Sequence, residues 1–208
     1  MLYNGMNGRR FFKLMISIKE KIRTEKKLAR SKLSEKYINT ASKSICEHLL
    51  KLSHYKNSTK IGCYVSTKYE VQTESIISSI HEDEKELFLP KIKPNSEMDF
   101  VQTSKKTQFY KNKFGIKEPE SNCISIESKL DLVVVPLVAF DVNKNRIGMG
   151  GGYYDRKFEK LNTNEYDIQN REPILIGLGF DCQKTEEIKT EKWDVKLTCV
   201  ISESGILC

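Results

Sequence analysis

Arg146, Gly148, Gly150, Gly151 and Gly152 fall in one short run, and Tyr153, Tyr154 and Asp155 follow directly. Those residue types at that spacing suit anion chemistry. Glycines let backbone N–H groups approach phosphate oxygens, and a helix start adds a favourable partial charge. Arg146 offers a planar, multi-donor contact to the same anion. Asp155 supplies the hard oxygen donor that Mg²⁺ takes beside phosphates. The run is not the dinucleotide fingerprint, because Gly148-x-Gly150-x-x-Tyr153 puts tyrosine where a third glycine belongs. Read alone, the glycines fit either a ligand cradle or a tight turn. Asp155 likewise fits a metal ligand or a carboxylate that complements a helix dipole.

Other chemistries lack their groups. His48, His54 and His81 all lie in the first half of the chain, and neither a GxSxG elbow nor a GxxxxGK[ST] loop is present. A Ser-His-Asp hydrolase and a P-loop protein are therefore disfavoured.

The elements that must position the run follow from hydrophobic periodicity. Residues 132–137 read as a buried strand entering the loop. A helix is expected from Tyr153 to about Leu161, with Tyr154, Phe158 and Leu161 inward and Tyr153 and Asp155 turned toward the loop. Ile18, Ile22, Ala29 and Leu33 mark one face of a first helix. Ser34 caps a second, carrying Ile38, Ala41, Ile45, Leu49 and Leu52. Further strands are expected at 61–65, 87–92, 100–103, 174–180 and 195–201, with a short helix at 73–80. The stretches 104–128 and 162–172 read as polar and irregular. Strands of continuous Val, Ile and Leu alternating with helices predict a single three-layer α/β/α domain with a mostly parallel, Rossmann-like sheet. In such sheets ligands bind beyond the carboxyl ends of the strands.

The 208 residues suffice to bury a core, and no apolar run approaches the roughly 20 residues that span a bilayer. The net charge of +7 fits a lysine-rich surface, attraction of a polyanionic small substrate, or nucleic-acid binding. Cys46, Cys63, Cys123, Cys182, Cys199 and Cys208 form no CxxC pair, so reduced, mostly buried thiols are expected. Residues 1–16 hold no acid, and Arg9, Arg10 and Lys13 flank Phe11, Phe12 and Leu14. They read as a disordered or organelle-targeting extension ahead of a domain at 17–208. Location is expected to be cytoplasmic, with mitochondrion or plastid as the alternative.

The run AFDVNKNRIGMGGGYYDRKF resembles the signature of the 5-formyltetrahydrofolate cyclo-ligase family. KEKIR resembles that family's N-terminal basic motif, IGCYVSTKYEVQTESII its first strand and loop, FGIKEP its mid-chain turn, and WDVKLTCVISESGI its C-terminal strand. The resemblance spans 17–203 in the expected order. It implies that Lys19, Arg23 and the loop Arg146, Ile147, Gly148, Met149, Gly150, Gly151, Gly152, Tyr153 and Tyr154 bind ATP. It further implies that Val65, Glu70, Met149, Gly150, Gly151, Gly152 and Tyr153 line the folate site, with Arg146 and Tyr153 in the catalytic step. Asp155 and Asp194 match magnesium-linked positions. The implied substrates are 5-formyltetrahydrofolate and ATP, acted on by a monomer with no membrane or nucleic-acid partner. Met149 stands where many relatives carry Arg, which puts one phosphate contact in doubt, and Lys117 stands where Pro is common; neither removes an essential chemical group. The rival is a binding module that keeps the fold but acts on RNA; the +7 charge and the basic stretch 105–117 are its support.

Overall fold

The computed structural model describes residues 8–93, 97–112, 115–120, 129–159 and 173–208. Helix α1 (Gly8–Ser31) is followed by α2 (Glu35–Lys51), α3 (Ser53–Lys56), β1 (Lys60–Gly62), α4 (Glu74–Glu82), β2 (Glu86–Ile92) and β3 (Met98–Thr103). Then come β4 (Phe109–Lys111), β5 (Lys117–Pro119), β6 (Leu132–Pro136), β7 (Ala139–Phe140) and β8 (Arg146–Ile147). The chain closes with α5 (Tyr153–Phe158), β9 (Ile174–Leu178), β10 (Cys199–Ser202) and β11 (Gly205–Leu207). The Ser34 hydroxyl accepts from the Tyr37 N–H, so α2 starts at the cap its sequence specifies.

Seven strands form one sheet in the order β11-β10-β9-β6-β1-β2-β3. The five central strands are mutually parallel, and only β3 and β11 at the edges run antiparallel. A buried parallel sheet needs apolar side chains on both faces. Strand β6 supplies them alternately: Leu132 and Val134 pack with Ile45, Leu49, Ile76 and Ile80 from α2 and α4, while Val133 and Val135 pack with Phe100 and Phe158 on the other face. The α/β fold with helices over both faces is as the sequence predicts. Strand β1 lies between β2 and β6, the point from which successive strands are laid down in opposite directions. Crevices at such a switch point hold the ligands of open α/β sheets.

Several local expectations are corrected. Strand β1 stops at Gly62 because the loop beyond it closes on itself: the Thr73 hydroxyl donates to Tyr64 O at 2.7 Å and the Tyr64 hydroxyl to Val71 O at 3.1 Å. The last strand starts at Cys199 rather than 195, since Leu197 N donates instead to Lys144 O across the β7–β8 turn. The stretch expected to be irregular holds the β4–β5 hairpin. It is organised by buried Glu118, which accepts from the Tyr110 hydroxyl at 2.8 Å and from Asn112 Nδ2 at 2.6 Å. Leu161, the expected end of the inward helical stripe, and Cys123 lie outside the described residues. Cys199 and Cys208 form a disulfide where both were expected as thiols. The β10–β11 register, with Val200 opposite Leu207, places them as the next cross-strand pair with Cα atoms 4.3 Å apart.

Candidate active site

Three remote pieces of chain meet at one cleft of about 530 Å³. Helix α1 contributes Lys19 and Arg23, the β8–α5 segment contributes Arg146, Ile147, Gly148, Gly150, Gly152 and Asp155, and the loop before β10 contributes Trp193 and Asp194. Hydrophobic anchoring sets this arrangement, because Ile22 packs on Ala139, Ile147 and Ile188 and so turns Lys19 and Arg23 toward the loop. The Arg23 Nε donates to Gly148 O at 2.8 Å.

Glycine is required in the loop for more than one reason. Gly150 has φ of 103°, a backbone that L side chains rarely adopt. At Gly151 an added Cβ would stand 2.7 Å from the Tyr153 ring. These are the demands of a tight wrap close to α1, and they explain why the run reads as neither dinucleotide motif nor P-loop.

The charged groups of the cleft are mutually paired. The buried Arg146 guanidinium donates through Nη2 to Asp155 Oδ1 at 2.8 Å and through Nη1 to Val195 O. Val195 N donates to the same Asp155 oxygen at 3.2 Å, so Asp155 ties α5 to the segment before β10. Lys19 pairs with Asp194, whose carboxylate also accepts from Glu191 N at 2.7 Å. Arg23 pairs with Glu20.

Sequence reasoning placed Lys19, Arg23, Arg146, Ile147, Gly148, Gly150, Gly152, Asp155 and Asp194 together, and the structure brings them to one cleft. Met149 is exposed at the loop's tip. Tyr153 is half-buried beneath the Arg156 guanidinium, 5.2 Å from its ring centroid. Tyr154 turns into the core against Phe100 and Phe158, and burial pushes its hydroxyl pKa up. Val65 and Glu70 lie on the separate loop after β1, where Glu70 Oε2 accepts from Thr67 N at 2.8 Å.

Asp141 was missed. Fully buried, it accepts from Asn145 N and Asn145 Nδ2 and from Ile188 N, each at 2.9 Å. It thereby clamps the β7–β8 turn that delivers Arg146. An aspartate four residues before an asparagine in a Lys/Asn turn was the available signal.

A mostly parallel α/β sheet with a glycine-wrapped, cation-rich cleft beside it defines a Rossmann-like α/β domain. The model of the 5-formyltetrahydrofolate cyclo-ligase family matches residues 15–203, and the chain belongs to that family. It is 34% identical to the 5-formyltetrahydrofolate cyclo-ligase of Haemophilus influenzae, over 86% of this chain and 94% of that protein. It is 29% identical to that of Saccharomyces cerevisiae, over 91% and 97%. The 5,10-methenyltetrahydrofolate synthetase structure from Aquifex aeolicus superposes with a TM-score of 0.76 at 27% identity, over 91% of each chain.

Proposed function

We propose that the chain converts 5-formyltetrahydrofolate to 5,10-methenyltetrahydrofolate with ATP becoming ADP and phosphate. The observation that supports this best is the convergence of Lys19, Arg23 and Arg146 with two carboxylates on a glycine-wrapped cleft in a chain of this family. The formyl oxygen attacks the γ-phosphorus and ADP leaves. Folate N10 then attacks the activated carbon, phosphate departs, and the N10 proton is released as the methenyl ring closes. Such chemistry needs positioning and charge neutralisation rather than a covalent nucleophile.

Lys19 and Arg23 would bind the nucleotide phosphates, and Arg146, fixed by Val195 O and Asp155, would neutralise charge developing on the transferred group. Tyr153, Val65 and Glu70 would hold the folate, with Glu70 accepting from the pteridine amino edge. Asp155 and Asp194 would suit Mg²⁺ as hard oxygen donors on the same cleft. A metal held by few carboxylates and completed by phosphate oxygens and water is the usual Mg²⁺ arrangement. When bound, it would offset the negative charge of the triphosphate. No helix among the described residues is long and apolar enough to cross a membrane.

The test is growth of the methenyl chromophore on mixing protein, 5-formyltetrahydrofolate, Mg²⁺ and ATP, with Asp155→Ala alongside. ATP-dependent product that vanishes in the variant is expected. Folded wild-type protein that yields no product overturns the reading.

A further inference from the structure

Arg30 occupies the last turn of α1 and is only 6% exposed, yet among the described residues it has no carboxylate partner. Its Nη1 donates to Leu137 O at a long 3.4 Å, and that oxygen already accepts from Gln183 Nε2 at 2.8 Å. Its Nε is buried without any hydrogen-bond partner. A buried guanidinium so poorly matched is expensive unless something else pairs with it. The negative end of α1 favours a cation there but gives Nε nothing to bond.

The location is informative. Leu137 directly follows β6, so Arg30 sits at the carboxyl end of that strand, which pairs with β1 at the switch point. Burial pushes the Tyr64 hydroxyl pKa well up, Glu70 adds to the rise and Arg30 opposes it, so both charges act on the start of the loop after β1. Arg30 is not a further phosphate ligand of the cleft. It shares a helix face with Lys19 and Arg23, but seven residues beyond Arg23 is about 10 Å along the axis.

We propose that Arg30 binds the substrate, its guanidinium donating to the ring carbonyl oxygen of the pteridine whose amino edge meets Glu70. The pteridine edge offers an amino group, a ring N–H and a carbonyl in a row: two donors, then an acceptor. A carboxylate beside a guanidinium is the matching acceptor and donor pair. This assignment rests on the folate reading above.

The experiment compares 5-formyltetrahydrofolate with its 4-amino-4-deoxy analogue, in which that carbonyl becomes a donor. Affinities are measured by calorimetry on the full-length wild type, Arg30→Met and Arg30→Lys, with melting midpoints and ATP KM recorded for each. Wild type is expected to prefer the 4-oxo ligand by about tenfold or more, the scale of one hydrogen bond to a charged group. Arg30→Met should lose that preference, with ATP KM unchanged and the midpoint unchanged or raised. A lowered midpoint with the preference intact would make Arg30 a structural partner of Leu137 and overturn the assignment. If Arg30→Met does not fold, Arg30→Lys decides: a reduced preference supports the assignment, and an undiminished one overturns it. A wild type that binds 5-formyltetrahydrofolate without discriminating overturns this inference alone, whereas one that binds neither ligand sinks the folate reading with it.

Discussion

The cleft and the loop after β1 are held in opposite ways. In the cleft, the bonds join residues far apart in sequence: Lys19 to Asp194, Arg23 to Gly148, Arg146 to Val195. The loop is knitted from neighbours, with Glu70 accepting from Thr67 N, Gln72 Nε2 donating to Thr67 O at 3.0 Å, and Ser66 bonding Thr73. The cleft therefore exists only once the sheet is assembled, and its charges report on tertiary alignment. The loop draws most of its shape from local bonds, with Gln72 N donating to Ser42 Oγ of α2 as an outside tie. Damage should follow that division: a lost cleft residue should disturb both chemistry and packing, and a lost loop residue should disturb ligand affinity alone.

Arg146→Ala is the harshest break. It removes the cation proposed to meet the phosphate, leaves Asp155 without its guanidinium and strips a donor from Val195 O. Turnover should fall by about 10²–10³, as for other preorganised charge stabilisers, and the melting midpoint should fall with it. A stable variant with full turnover would show that the cleft is not the reacting site. Glu70→Gln is the contrasting change. It should raise the KM for the folate by roughly 10- to 100-fold, the worth of a charged hydrogen bond, while the KM for ATP and the midpoint hold. A matching rise in the ATP KM would erase the distinction between the two regions.

A smaller effect tests the pairing within the cleft. Lys19 and Asp194 are partly exposed, so their mutual attraction contributes only about 0.5–1 kcal/mol to stability. Lys19→Met should weaken ATP binding yet strengthen Mg²⁺ binding measured without nucleotide, because Asp194 loses a competing cation. Unchanged Mg²⁺ affinity would mean that the pair does not stand in for ligand charges.

Legibility tracked locality. The Ser34 cap, the α2 stripe and the two-faced β6 were readable because each is written within a few residues. The glycine run was readable as a cradle or a tight turn, but its neighbours Lys19 and Asp194 were supplied by family resemblance, since no local pattern links residues 175 apart. Arg30 escaped notice for a related reason: beside Ala29 on a lysine-rich helix it reads as one more solvated charge, and only the docking of α1 buries it. Asp141 was only half legible: its Asn145 partner is local, but Ile188 N arrives from 47 residues downstream. The β4–β5 hairpin was missed because its strands are short and polar, and the buried Glu118 that organises them contradicts the expectation that such stretches are irregular loops.

The C-terminal hairpin bounds the comparison, because it belongs to neither region. Strand β11 is an edge of the sheet, and the Cys199–Cys208 bond fastens it to β10 across a short loop. Closing a loop of nine residues restricts the unfolded chain and contributes about 2–3 kcal/mol by the chain-entropy account. Cys208→Ser, or a reductant acting on the wild type, should lower stability to chemical denaturation by that order while turnover stays within twofold. The bond is carried by the strand that follows Asp194 and Val195, so the opposite result is informative. If turnover fell along with stability, strain at the edge would be reaching Asp155 through Val195 N, and the cleft would depend on the hairpin as well as on α1.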